Sequence, residues 1–171
     1  MAKRGKLKGN AFERLVGKTL SLWLTEGEDP TQLIRSEGSG GWAGKDAGDQ
    51  GWRHVADLAP NGPLGKQFRE LYAVEAKHQK GIQFWHILTQ KPAENLHGWW
   101  VELVEECEPY GLRPVLIVKQ NHRPTLIGFD ADEEILPDHE PAIIFQWGPH
   151  RCRLIELDAF IEKADPQDFL P

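Results

Sequence analysis

Two cysteines in 171 residues are too few for a disulfide framework. Cys107 and Cys152 lie far apart and have no metal-ligand spacing between them. Cys107 falls on the apolar side of an expected helix and reads as a small buried thiol. A reducing cytoplasm is the default setting for such a chain. No apolar run approaches membrane-spanning length, and the basic start Met-Ala-Lys-Arg-Gly-Lys-Leu-Lys is followed by no hydrophobic secretion segment. The glycine-rich stretch 37–52 lacks the Gly-Lys-Ser/Thr that a nucleotide-binding P-loop requires. The seven histidines form neither HxH nor HExxH, so zinc chemistry has little support.

What is present is ordinary in bulk: 40% hydrophobic and 27% charged residues, enough for one domain over 1–171 with a real core. Residues 1–10 read as a flexible basic leader. A net charge of −6 argues against bulk attraction to nucleic acid, but the charge is polarised. Residues 1–18 carry six basic side chains against Glu13, a net of +5, whereas 130–140 carry six acids and no Lys or Arg.

Periodicity gives the elements. Apolar residues from Phe12 to Leu24 recur at helical spacing, with Arg14, Lys18 and Ser21 expected on the solvated side. Short strands are expected at 31–36 and 53–59, then a strand from Leu71 to Lys77 after an ill-defined connection. Helices follow at 82–90 and 93–107, the second with Glu94, Glu102, Glu105 and Glu106 facing water. Strands at 114–119 and 125–129 should pair, a hairpin is expected over 142–157, and 158–164 should form a closing helix. The order predicts an α/β domain with a mixed sheet.

Three acids stand out against this frame. Stepping roughly 100° per residue places Glu13 inside the apolar stripe, where a carboxylate is costly unless paired, protonated or bound to metal; Gly17 leaves room beside it. Asp57 follows a short apolar run. In Val74-Glu75-Ala76-Lys77, strand alternation aims Glu75 and Lys77 the same way, with Tyr72, Val74 and Ala76 on the other face. Carboxylates on an early helix, after a short apolar run and within Glu-x-Lys suit a hard divalent cation that cuts phosphodiesters. A lysine two residues from a ligand can hold the attacking water or a phosphate oxygen.

In that order and spacing the chain resembles the PD-(D/E)xK nuclease superfamily, in its Holliday-junction-resolvase-like and phage-encoded endonuclease branch. The resemblance rests on Lys8-Gly-Asn-Ala-Phe-Glu13-Arg-Leu-Val, Arg35-Ser-Glu-Gly-Ser39-Gly-Gly, Val55-Ala-Asp57-Leu and Val74-Glu75-Ala76-Lys77. It implies a single restriction-endonuclease-like α/β domain, its mixed β-sheet flanked by helices. It implies Mg²⁺ (or Mn²⁺) held by Asp57, Glu75, the Ala76 carbonyl and Glu13, with Lys77 beside the water. Ser39 matches a serine that contacts the scissile phosphate, and Arg35, Lys6, Lys8 and Gln79 are further candidate DNA contacts. The implied partners are DNA, branched or otherwise irregular, and a second copy in a homodimer; the setting is the cytoplasm, the host's if phage-encoded. Ala56 stands where the family has proline, and Asp46 or Asp49 in the long glycine loop could replace Asp57. The alternative is a nuclease fold that binds DNA without cutting it. Nothing in the sequence excludes RNA.

Overall fold

The computed structural model describes residues 2–36, 55–84, 96–134 and 141–171, without the side chains of 2–8 and 147. Helix α1 (Ala2–Leu24) leads to β1 (Leu33–Arg35), β2 (Leu58–Pro60), α2 (Pro63–Leu71) and β3 (Tyr72–Gln79). Then come α3 (Leu96–Cys107), β4 (Arg113–Gln120), β5 (Thr125–Asp130), β6 (Ile143–Trp147), β7 (His150–Glu156) and α4 (Leu157–Lys163). The basic leader is thus the first turns of α1. Strands β3-β4-β5-β7-β6 form a five-stranded sheet, while β1 and β2 pair separately. β3 and β4 run parallel and the remaining neighbours antiparallel, which gives the expected mixed sheet.

Alternation sorts the sheet into two cores. On one face Tyr72, Val74, Ala76, Val115, Ile117, Ile127, Phe129 and Ile155 pack against α1 and α4. On the other, Ala73, Leu116, Val118, Cys152 and Leu154 pack against Leu96, Trp100, Leu103 and Cys107 of α3. The pair β4–β5, the β6–β7 hairpin and the closing helix lie where the sequence placed them. Burial pushes the Cys107 thiol up to about 12 and the Cys152 thiol well above the ordinary range. Since the thiolate is the nucleophile, both should resist a thiol-titrating disulfide reagent at pH 8 in the native protein. They should react only on denaturation; a rapid native reaction would contradict this packing.

Several expectations need correction. The connection after β2 is α2, which opens with Pro63 at its first position, where a missing N–H costs nothing. Its next free amides, Leu64 and Gly65, donate to Gln32 Oε1 at 3.0 and 3.2 Å. Gly65 lets this happen, for a Cβ there would lie 1.8 Å from the Gln32 carbonyl oxygen. Gly65→Ala should therefore cost about 1–3 kcal/mol of stability, seen as a lower urea midpoint, despite alanine's better helix propensity. An unchanged or raised midpoint would refute that account.

On α1, Ser21 is buried rather than solvated: its hydroxyl donates to Gly17 O at 2.7 Å and accepts from Leu33 N at 2.8 Å. Leu15 instead is exposed. The buried arc is rotated toward Gly17 and Ser21 because β1 crosses there; a Cβ on Gly17 would stand 3.0 Å from Leu33 O. Gly17 makes room for β1 rather than for Glu13. β2 begins only at Leu58, so Asp57 sits on a bend rather than in a strand. Ile82–Phe84 are not helical; the Ile82 amide donates to the Gln120 side chain at 3.1 Å. The remainder of the helix expected at 82–90 lies outside the described residues, as do Ser39, Asp46 and Asp49.

Candidate active site

The free edge of β3 builds the site. Residues Val74 and Ala76 turn their backbone groups away from β4, toward the bend at 55–57. Val74 O accepts from Asp57 N at 3.0 Å, and Ala76 N donates to Asp57 Oδ2 at 3.0 Å. Asp57 O accepts from Ser36 N at 2.7 Å, which ties the bend to the end of β1. Asp57 is buried, and its position is therefore fixed through backbone and side chain alike.

Glu75 and Lys77 project from β3 toward the α3 side, level with Leu116 and Val118 in the β4 register. Lys77 Nζ bonds Glu75 Oε1. Burial and then the Asp57 charge push Glu75 up to about 8, although Lys77 opposes them. The Glu75 carboxyl also hydrogen-bonds to Asp57, so two carboxyls meet at one point, which raises the Glu75 pKa further. Burial works against the Lys77 ammonium, but Glu75, Asp57 and Glu102 outweigh it and hold its pKa above the ordinary range.

That donor set fits a hard dication. Two carboxylates and the Ala76 carbonyl, which shares the Asp57 side of the strand, offer oxygen alone, and Mg²⁺ takes one or two carboxylates while keeping several waters. A cation at this point would offset the burial and the Asp57 charge that raise the Glu75 pKa.

Glu13 is placed differently. It is buried as expected from its position in the stripe, but α1 covers the opposite sheet face, and its carboxylate is bonded to Arg35 of β1. Among the described residues no three His, Cys, Asp or Glu side chains group closely enough to hold a metal. The structure thus brings together Asp57, Glu75, the Ala76 backbone and Lys77. Glu13 and Arg35 form a pair outside that group. Gln79 is exposed at the end of β3, and the side chains of Lys6 and Lys8 are not described. His78 faces the other way, against the Phe12 ring at 5.2 Å and with its Nε2 3.1 Å from Asn121 Oδ1.

Two groups beside the site had no distinguishing signal in the sequence. Glu102 and Glu106 are exposed on α3, yet both act electrostatically on Lys77 or Asp57. Burial raises the Glu106 pKa, Lys77 opposes this, and Asp57 and Glu102 reinforce it. The Ala56 amide, which lowers it again, points to Glu106 from a residue at φ +62°, a left-handed conformation strained for alanine. Helical periodicity shows a polar face but not whether that face looks onto water or a cleft.

A mixed five-stranded sheet between helices, with carboxyls and a lysine at its parallel edge, defines a restriction-endonuclease-like nuclease fold. The chain belongs to the family described as "Phage putative PDDEXK endonuclease", whose model matches residues 4–170, within the PD-(D/E)xK superfamily. Nucleases of that superfamily generally use divalent metal ions. Comparison with curated proteins and with solved structures finds no match. No helix among the described residues is long and apolar enough to cross a membrane.

Proposed function

We propose that this protein is a Mg²⁺-dependent endonuclease hydrolysing phosphodiester bonds in DNA, with Mn²⁺ as a substitute. The observation that carries this reading is the meeting of Asp57, Glu75 and Lys77 at the free edge of β3. In it, Asp57, Glu75 and the Ala76 carbonyl hold the cation, and Glu13 assists from the α1 side. A bound divalent ion supplies a water of lowered pKa and screens charge developing on the phosphate. Lys77 would donate to the attacking water or a phosphate oxygen and fix its line of approach. Ser39, Arg35, Lys6, Lys8 and Gln79 contact the DNA.

We take the substrate to be branched or otherwise irregular DNA and the working unit to be a homodimer in the cytoplasm, the host's if phage-encoded. Cutting two strands symmetrically needs two copies of one site. Incubation with a four-way junction, a duplex and a single strand in Mg²⁺ should give cleavage of the junction above the others, abolished by chelator. Intact DNA in every lane would refute the endonuclease. A second reading, DNA binding without turnover, draws on the absence of a three-acid group among the described residues. Titration with Mn²⁺ separates the two, because a non-cutting scaffold should show no uptake that depends on Asp57 and Glu75.

A further inference from the structure

A groove of about 380 Å³ runs between α1 and β1, lined by Arg14, Lys18, Thr31, Leu33, Ile34 and Arg35. Three cations line it against the one charge of Glu13, which is bonded to Arg35, so it carries a net of +2 on a chain of net −6. Arg14 and Lys18 are exposed, and neither forms an ion pair among the described residues. Elsewhere on the protein Arg113, Arg151 and Lys66 each lie against an acid. Two uncompensated cations one helical turn apart repel each other, which disfavours the bare protein and favours an anion between them.

The groove is open, and its β1 end adjoins the bend that carries Asp57. Arg35 ends β1 opposite Leu58, and the next amide, Ser36 N, donates to the carbonyl of Asp57. Arg14 and Lys18 are offset by about 6 Å along the helix, close to two steps of the roughly 3.4 Å rise per nucleotide of a DNA strand. Ile34, 44% exposed, adds apolar surface of the kind a deoxyribose can cover. We infer that the α1–β1 groove, through Arg14 and Lys18, holds the phosphate backbone of the DNA strand that runs on to the Asp57–Glu75–Lys77 edge. This assignment rests on the endonuclease reading for its substrate, but it is tested by binding alone.

The test is the salt dependence of binding to a short labelled duplex, measured by fluorescence anisotropy with Ca²⁺ in place of Mg²⁺. Wild type is compared with Arg14→Ala/Lys18→Ala and with Lys66→Ala/Lys163→Ala, which removes the same charge from exposed positions elsewhere. Loss of two phosphate contacts should weaken binding at least tenfold at moderate salt and reduce the log–log salt slope by about 1.8. The control pair should keep the wild-type slope. An unchanged slope in the groove variant, or an equal fall in the control, overturns the groove. A wild type that cuts DNA while the groove variant binds normally defeats this inference and leaves the endonuclease standing. Groove-dependent binding without cleavage does the reverse, and a wild type that neither binds nor cuts removes both.

Discussion

Lys77→Ala is expected to lower the rate of DNA cleavage by about 10²–10³-fold while leaving the protein folded and able to take up Mn²⁺. Lys77 acts electrostatically on Glu75 and Glu106, and its ammonium is held charged by Glu75, Asp57 and Glu102. Removing a preorganised donor aimed at developing charge costs on the order of 3–4 kcal/mol of transition-state stabilisation. The carboxyls that would hold the ion remain, with less positive charge competing beside them. Glu75→Gln should behave in the opposite way, losing uptake and turnover together. Cleavage of labelled DNA under saturating Mg²⁺ and calorimetric Mn²⁺ titration of both variants measure this split. Wild-type turnover in Lys77→Ala would remove the lysine from the mechanism whatever the fate of the metal site.

The pairing of Glu75 with Lys77 was legible because a strand has period two, and the observed register keeps both on one face. The inward position of Glu13 was legible for a similar reason, since helical angle alone puts it in the buried stripe. Its distance from Glu75 was not, because neither angle nor spacing says which sheet face a helix covers. The setting of Asp57 was misread, for it sits on a bend and not in the strand expected at 53–59. The bend at Val55–Asp57 depends on a left-handed alanine, and alanine gives no turn signal of the kind glycine or asparagine does. The connection before β3 was left undefined because the amide cap of helix α2 comes from Gln32, some thirty residues upstream. Local pattern therefore recovers elements and faces, while partners brought in from a distance decide where those faces meet.

Arg69 shows how much the position of Asp57 depends on one such distant partner. Its guanidinium lies fully buried at the end of α2 and donates to the carbonyl oxygens of Tyr72 and, at 2.8 Å, Val55. Burial lowers its pKa to about 10, so it remains a cation at neutral pH. The two bonds pin the start of β3 and the residue two before Asp57 to the same group. Arg69→Ala would strand both carbonyls without water, at about 1–3 kcal/mol each, and open a cavity besides. A loss of about 3–5 kcal/mol is expected, a large share of the 5–15 kcal/mol typical of a domain. Arg69→Lys keeps the charge but cannot fork to two carbonyls, so it should fall between wild type and alanine. Urea denaturation orders the three. If Arg69→Ala unfolds within about 1 kcal/mol of wild type, the bend is held by the Val74, Ala76 and Ser36 contacts alone. If the order holds, Mn²⁺ affinity should fall in the same sequence among molecules that remain folded, because the group that fastens Val55 also sets where Asp57 presents its oxygen to the edge of β3.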